Sequence, residues 1–193
     1  MADNSAVSRQ RMVVGAADMI SRRGLNATSV RELAKYTDAP LGSTYHYFPG
    51  GKYDLATEAV QWADDLTVKL LTQELKAGPL AGLQAFLAMW RKVVLDSDFH
   101  AGCPVLSVSV EDLPDEHGAP REAASAAFLN WTRILGDSLR EHGVKASDAQ
   151  RLAILIVAAV EGTVAMCRAH RSIEPLDQVA DELSRLIKSA VGS

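Results

Sequence analysis

Apolar residues recur at helical spacing along most of this chain. The first such segment, residues 8–23, ends before Gly24, a residue type that suits the C-terminal cap of a helix. Its apolar positions follow the i, i+3, i+4, i+7 pattern of one helical face and are Val13, Ala16, Ala17 and Ile20. The pattern predicts an amphipathic helix.

Two shorter helices are predicted next. Ser29 and Glu32 have the spacing of a capping box, and Thr28 is the alternative N-cap. Residues 36–40 break this second helix. Pro40 suits the first turn of a third helix, because the N–H that proline lacks is not needed there. The third helix is expected to end at the Pro-Gly-Gly sequence that follows it.

Longer amphipathic stretches account for most of the remaining chain. Pro79 and Pro175 fit the first turns of helices. Gly143 fits a helix end and Ser147 fits an N-cap. The predicted helices cover about residues 52–76, 79–95, 120–142, 147–170 and 175–190. The inward face of the helix over 52–76 is predicted to carry Leu55, Ala59, Trp62, Ala63, Leu66 and Leu70.

One segment departs from this helical periodicity. Residues 103–110 alternate between apolar and polar, which is the period of a strand. No partner strand is evident to take its backbone hydrogen bonds, so we interpret it as a short helix or an irregular loop. The acidic, proline-containing residues 111–120 are interpreted as a surface loop. The chain is therefore predicted to be all-α, with about nine helices.

The last two predicted helices are unusually apolar. The helix over 147–170 has no charged residue between Arg151 and Glu161, so several of its sides must be covered. The final helix has an unbroken 3-4-3-4 apolar seam, which consists of Leu176, Val179, Leu183, Leu186 and Ala190. These helices form either a subunit interface or the core of an intramolecular bundle.

Composition and chain length favour a globular protein in a reducing compartment. The 193 residues are 48% apolar, enough to fill a core. The longest apolar run, residues 152–160, is far shorter than the roughly 20 residues that cross a bilayer. Residues 1–12 lack the apolar stretch of a signal peptide, and two cysteines make a poor disulfide framework. We therefore expect a cytoplasmic protein without a membrane span.

Charge and aromatic residues divide the chain into two regions. Residues 1–53 hold seven Lys or Arg and four Asp or Glu, whereas the remainder holds 13 and 20. All four tyrosines lie within residues 36–53, and all three tryptophans follow residue 60. A basic head on an acidic chain is compatible with DNA binding, because positive potential is needed only where phosphates are touched.

The residues over 29–48 combine a helix, a turn and a helix in a basic surround, which is the geometry that places a second helix in the DNA major groove. The sequence TSVRELAKYTDAPLGSTYHYFPGGKYDL, from residue 28 to residue 55, resembles the N-terminal module of the tetracycline repressor (TetR) family of bacterial transcription regulators. GSTYHYF resembles the recognition helix of that family, and PGGK resembles the start of its fourth helix. The resemblance covers about residues 8–58.

A second resemblance lies further along the chain. GCPVLSVSVED at 102–112, followed by an Ala-rich helix, is similar to the C-terminal domain of the multidrug- and flavonoid-responsive branch, which contains regulators like that of lincomycin resistance. Together the resemblances imply a DNA-binding domain at 1–52 and a ligand-binding and dimerisation domain at 53–193. They also imply a homodimeric repressor that a small apolar or aromatic molecule releases from its operator.

The family pattern and residue chemistry assign the DNA contacts together. A hydroxyl at the start of the second helix can meet a phosphate, the exposed start of the third helix meets base edges, and the following aromatic residues and lysine donate to the backbone. The predicted residues are Thr28, Pro40, Leu41, Gly42, Ser43, Tyr45, His46, Tyr47 and Lys52. Each tyrosine has an alternative role as a partly buried packing residue.

Three positions depart from the family pattern. Asp38 stands where the turn usually has glycine, and Asp tolerates the left-handed conformation better than most residues. Thr44 replaces a common leucine and offers less apolar area behind the recognition helix. Leu41, where many relatives carry a polar or basic residue, favours contact with a thymine methyl group.

The effector pocket that the family implies is predicted in the helical C-terminal domain. We expect a largely apolar cavity, with Glu161 as its one acid, and each side chain has core packing as its alternative role. The candidate residues are Trp62, Leu66, Phe86, Trp90, Cys103, Phe128, Trp131, Val157, Glu161 and Met166.

Other classes of function have weaker support. His100, Cys103, Cys167 and His170 have spacings that zinc could use, but independent apolar packing explains the cysteines more simply, and a thiol sensor at Cys103 is a further alternative. The motifs of P-loops, serine hydrolases, zinc proteases and di-iron bundles are missing. We therefore predict no enzyme activity, no cofactor and no bound metal. A helical scaffold that does not bind DNA is the remaining rival.

Overall fold

The computed structural model describes residues 2–114 and 117–192, and every regular element in those ranges is helical. This confirms the all-α prediction. The α-helices are α1 (Ala2–Arg23), α2 (Val30–Tyr36), α3 (Leu41–Tyr47), α4 (Lys52–Glu74), α5 (Pro79–Asp96), α6 (Pro104–Ser109), α7 (Ala119–Glu141), α8 (Ala146–His170) and α9 (Glu174–Val191). A 3-10 turn, Leu75–Ala77, follows α4.

The helices gather into two compact units. The first comprises Met1–Asp64 and Cys103–Ala127, and the second comprises Asp65–Gly102 and Phe128–Ser193. The first unit therefore contains the predicted DNA-binding head and, in addition, the first half of α4, all of α6 and the start of α7. Helices α4 and α7 each contribute residues to both units.

In the first unit, α1 is the helix on which the others pack. α2, α3 and α6 all contact it. Gly15 is needed for this packing, because a Cβ there would lie 2.4 Å from the Thr37 side chain at the end of α2. The buried face of α1 is formed by Met12, Val13, Ala16, Ala17, Met19 and Ile20. This includes all four positions that the sequence pattern assigned to the inward face.

The ends of the helices show where local sequence fixes the chain. Ser29 is the N-cap of α2, with its hydroxyl oxygen accepting the Glu32 N–H at 3.2 Å, and its hydroxyl donates to the Glu32 carboxylate at 2.8 Å. The predicted capping box is confirmed. Gly24 and Gly143 have φ values of 82° and 92°, as expected for residues that end a helix. Asp38 also adopts the left-handed conformation, with φ of 50°.

In the second unit, α5, α8 and α9 pack on one another around large apolar side chains. Phe86 and Trp131 are almost fully buried there. The predicted seam of α9 is divided: Leu176 and Leu183 are buried, whereas Leu186 is 44% exposed. Ile187 completes the buried row, because it lies on the same face one turn after Leu183.

Several local predictions were wrong. Pro40 precedes α3 as its N-cap and is not within the first turn. α8 begins at Ala146 with Lys145 as its N-cap, so Ser147 lies inside the helix and does not cap it. Leu66 is 47% exposed, because α4 buries the row that contains Thr67 instead.

The segment that alternates like a strand is the helix α6. Cys103 is its N-cap and Pro104 begins its first turn. Val105 and Val108 are fully buried at i and i+3 spacing, so the apolar residues serve one helical face despite their alternation. Of the predicted loop at 111–120, residues 115 and 116 lie outside the described part of the chain.

Helix α8 is long and apolar enough to cross a bilayer on length and mean hydropathy alone. The longest uninterrupted apolar run does not single out this helix, because that run ends before Glu161. The criterion is weak for a single helix, since the core helix of a globular protein also meets it. Glu161 and Thr163 are buried in the middle of α8.

Ser29 and Ser147 allow a matched test of the helix starts. Ser29→Ala should lower the free energy of unfolding by about 1 kcal/mol, because it removes a real cap. Ser147→Ala should change it by less than about 0.5 kcal/mol, because the Ser147 side chain is exposed and caps nothing. Urea unfolding followed by circular dichroism measures both. Equal losses would contradict the assigned start of α8.

Candidate nucleic-acid interface and effector site

The third helix presents most of its side chains outward. Thr44 and Phe48 anchor it, with exposed fractions of 1% and 0%. Leu41, Gly42 and Tyr45 are exposed, and a Cβ at Gly42 would meet no atom within 4 Å. His46 is exposed too, whereas Ser43 and Tyr47 are half-buried. α3 therefore exposes one side that includes Leu41, Tyr45 and His46.

The turn into α4 is held by a carboxylate. Asp54 accepts the backbone N–H of Gly50 at 2.6 Å, and a Cβ at Gly50 would lie 2.3 Å from the same carboxylate. Gly51 has φ of 66°, a conformation that favours glycine. The sequence Pro-Gly-Gly therefore fixes where Lys52 begins α4.

Lys52 lies beside a pair of stacked rings. Its ammonium nitrogen is 5.2 Å from the centroid of the Tyr53 ring. The His117 ring stacks on Tyr53 with centroids 3.9 Å apart and planes at 16°. The loop before α7 thus contacts the first turn of α4, which the sequence did not indicate.

Thr28 has a different role from the predicted one. It is 5% exposed, its hydroxyl donates to the Gly24 carbonyl at 2.8 Å, and its N–H donates to the Leu25 carbonyl at 3.0 Å. Both of its donor protons are used inside the head, so no donor remains for a phosphate. Ser29 is exposed at the start of α2, but its hydroxyl already donates to the Glu32 carboxylate.

Three arginines that look like solvated charge in the sequence have partners in the head. Arg9 forms an ion pair with Glu58 and lies over the Phe48 ring, 5.2 Å from its centroid. Arg9 therefore ties α1 to α4 and covers the anchor of α3. No spacing in the sequence could have revealed this pair, because its members are 49 positions apart.

Arg22 and Arg23 are paired as well. Arg22 donates to the Asp18 carboxylate at 2.9 Å, and Tyr36 donates its hydroxyl to the same carboxylate at 2.7 Å. This hydrogen bond raises the pKa of Tyr36, because ionising the phenol would remove its donor proton and face two anions together. Arg23 lies 3.2 Å from Glu32.

The pKa of Glu32 is lowered, first by the hydrogen bond from Ser29 and then by the Arg23 charge. A lowered pKa means that this contribution to stability is present above the unfolded-state pKa of Glu32 and is lost as the pH falls through the folded one. The start of α2 is thus best held near neutral pH. Within the described chain, no ion pair involves Arg11, Arg31, Lys35 or Lys52. These four cations are therefore available to pair with an anionic partner.

Four of the predicted effector residues form an aromatic cluster in the second unit. Ring centroids lie 6.4 Å apart for Phe86 and Trp90, 6.1 Å for Phe86 and Trp131, and 5.5 Å for Phe128 and Trp131, all in edge-to-face arrangements. Trp90 is 4% exposed, and its indole N–H has no acceptor within the residues that the structure describes. A buried donor without an acceptor costs free energy.

The other predicted effector residues are dispersed. Val157 and Glu161 are buried in α8 of the same unit. Met166 is 49% exposed on α8 and belongs to a surface groove of about 420 Å³ whose floor includes Pro175 and Val179. Leu66 is also exposed, and Trp62 and Cys103 belong to the first unit. The structure therefore does not gather all ten residues around one cavity.

The cysteines show packing roles. Cys103 is 3% exposed and its sulfur accepts the Leu106 N–H at 3.4 Å, at the start of α6. Burial raises the pKa of the Cys167 thiol, which lowers its reactivity. Over residues 2–114 and 117–192, no three side chains of His, Cys, Asp or Glu form a group that could hold a metal ion. The zinc alternative thus has no assembled ligand set there.

Comparison with known proteins identifies two parts of the chain. Residues 13–59 match the family model of bacterial regulatory proteins of the tetR family, and residues 79–182 match the C-terminal domain of LmrA/YxaF-like transcriptional regulators. The chain belongs to the TetR family. Its members regulate transcription and are not enzymes, so this protein is a DNA-binding transcription regulator with a helix-turn-helix head.

Individual relatives agree with the family. An uncharacterized HTH-type transcriptional regulator of Mycobacterium tuberculosis is 36% identical over 184 residues, which are 93% of each chain. The crystal structure of the regulatory protein TetR from Rhodobacter sphaeroides is 25% identical, has a TM-score of 0.82 and covers 93% of this chain and 98% of its own. A cysteine mutant of the TetR-family regulator CifR was solved with a 26 bp double-strand operator; it is 21% identical, with a TM-score of 0.70, over 91% of this chain and 94% of its own.

Proposed function

We propose that this TetR-family regulator is a homodimeric repressor that a small apolar or aromatic molecule releases from its operator. Residues 1–52 would bind DNA and residues 53–193 would bind the effector and the second subunit. The observation that carries the proposal is α3, a helix anchored by the buried Thr44 and Phe48 that leaves Leu41, Gly42, Tyr45 and His46 exposed. It acts where DNA is, in the cytoplasm.

The DNA contacts that we propose are exposed and half-buried residues around α3. Leu41, Gly42 and Ser43 would approach base edges, with Pro40 directing the start of the helix. Tyr45, His46, Tyr47 and Lys52 would contact the phosphate backbone. The unpaired cations Arg31 and Lys35 add positive potential on α2.

The experiment for DNA binding is the salt dependence of affinity for the duplex upstream of the protein's own gene. Lys52→Ala should reduce the slope of log affinity against log salt concentration by about 1, because one phosphate contact is lost. Lys76→Ala, which removes the same charge from an exposed site of the second unit, should leave the slope unchanged. A wild-type protein without salt-dependent duplex binding would favour the scaffold alternative.

Dimerisation through α8 and α9 is supported by an apolar face that the protomer leaves open. Ile154, Leu155 and Met166 are about half exposed on α8. Between them lie Ala158, Gly162 and Ala165, which are also exposed. Small residues in such a row allow two helix backbones to approach closely. On α9, Leu186 is 44% exposed.

Leu155→Asp should therefore shift the protein from dimer to monomer, because it places a charge in an apolar interface. Leu129→Asp, at a residue of α7 that is 66% exposed, is the matched control and should stay dimeric. Sedimentation equilibrium measures both. Dimers of equal stability in the two variants would place the interface elsewhere.

The aromatic cluster supports an effector that is itself aromatic. Edge-to-face rings favour aromatic partners, and the Trp90 indole N–H offers one hydrogen bond to an acceptor on the molecule. Binding would shift α4, which begins at Lys52 in the head and continues into the second unit. The separation of the two recognition helices in the dimer would then no longer match the operator.

Aromatic compounds that release the duplex should quench tryptophan fluorescence. Trp90→Phe should weaken binding of a carbonyl-bearing aromatic by roughly tenfold, since one hydrogen bond is lost. A hydrocarbon of the same shape should bind the variant and the wild type equally. Titration of both compounds measures this. Equal losses of affinity for the two compounds would show that the Trp90 indole does not donate a hydrogen bond to the effector.

A further inference from the structure

Glu111 makes a contact that the DNA-binding and effector assignments do not use. It lies two residues after the end of α6. Its two carboxylate oxygens accept the backbone N–H groups of Leu25 and Asn26 at 2.5 and 2.7 Å. These donors are more than 80 positions away in the sequence, in the turn between α1 and α2, and all of these residues belong to the first unit.

The turn is shaped to receive this carboxylate. Gly24 has φ of 82°, which favours glycine, and a Cβ at that position would lie 2.3 Å from the Glu111 carboxylate. Leu25 is fully buried, so its N–H needs an acceptor inside the protein. A carboxylate that accepts two backbone N–H groups forms charge-assisted hydrogen bonds, which are stronger than neutral ones.

The contact continues into the start of α2. Thr28 donates its hydroxyl to the Gly24 carbonyl and its N–H to the Leu25 carbonyl. The next residue, Ser29, caps α2. Leu25, whose N–H is bound by Glu111, therefore accepts from Thr28 directly before the cap of α2, and α2 contacts α3.

We infer that Glu111 is a positioning residue for DNA binding, which fixes the start of α2 on the end of α6 so that α2 and α3 meet the duplex together. The inference rests on the proposed function. It makes α6 part of the DNA-binding apparatus, although this helix is more than 50 residues beyond the helix-turn-helix in the sequence.

The direction of the change in duplex affinity distinguishes a positioning role of Glu111 from a simple effect of its negative charge. Removing an acid from a DNA-binding unit should strengthen duplex binding, because less negative potential faces the phosphates. Removing the contact should weaken binding. Glu111→Gln removes both the negative charge and the double contact, since a glutamine keeps the shape but offers one acceptor oxygen where the carboxylate offers two. Asp112→Asn removes the same charge from the exposed neighbouring residue and is the matched control.

The experiment measures the affinity of each full-length variant for the duplex upstream of the protein's own gene, together with the fraction of protein that binds. Glu111→Gln should bind roughly tenfold more weakly than Asp112→Asn, with the binding-competent fraction unchanged. Glu111→Asp keeps the charge but shortens the reach, and should also weaken binding. An affinity of Glu111→Gln equal to or tighter than that of Asp112→Asn would overturn the inference. The inference would also be overturned if a smaller fraction of Glu111→Gln bound the duplex but that fraction had the same affinity as Asp112→Asn, because this result indicates only a loss of stability.

Amide hydrogen exchange of the free protein provides the second readout. In Glu111→Gln the amides of Leu25, Asn26 and residues 28–32 should exchange faster, while those of the buried α1 face stay protected. Unchanged exchange over 25–32 would overturn the inference even if DNA binding fell. If the wild type bound no duplex, the proposed function would fail, and the exchange data would still decide whether Glu111 positions α2.

Discussion

The burial of one face of α1 is the constraint on which the first unit depends. Six apolar side chains of α1 are withdrawn from water, and burial of each of the four larger ones, Met12, Val13, Met19 and Ile20, is worth about 1.5 to 3 kcal/mol. They are covered by α2, α3 and α6, short helices that could not be stable alone. Gly15 keeps the packing close, and Arg9 extends it to α4 by its ion pair with Glu58. Burying α1 therefore determines where every DNA-facing element sits within this unit.

The same constraint explains how so small a helix can present polar side chains. α3 has seven residues, and only Thr44 within it is buried, with Phe48 directly after it. Those two anchors commit the helix to one orientation, and the remaining side chains are left for a partner. The second unit differs, because most of the side-chain area of its aromatic cluster is buried. The two units thus offer one polar surface and one apolar interior, as the separation of tyrosines and tryptophans in the sequence suggested.

Features that depend on local sequence could be predicted from it, and features that depend on distant residues could not. The helices, the capping box at Ser29 and the left-handed residues at Gly24 and Asp38 follow from spacing and backbone preference. The family followed from the motif around α3. The periodicity of α4 predicted that Leu66 is buried, but Leu66 is exposed, because tertiary packing decides which face of the helix is buried. The acceptors of Thr28 are the nearby carbonyls of Gly24 and Leu25, and no sequence pattern indicated them.

Functional residues without a motif were the hardest to find. Glu111 looks like part of an acidic surface loop, and only the fold brings it to the α1–α2 turn. The predicted DNA residues from Pro40 to Lys52 are exposed or half-buried around one short helix, whereas the predicted effector residues are spread between both units. A recognition helix is encoded by consecutive residues. A binding cavity is lined by residues from several helices, so its lining is harder to predict from a single sequence.

The central claim is that the surface built on α1 is the one that meets DNA. Hydrogen exchange of the full-length protein with and without the duplex upstream of its own gene tests it most directly. The account predicts that the duplex slows exchange over residues 28–52, with little direct protection over 79–102. Protection confined to α7, α8 or α9, with no change over 28–52, would contradict it.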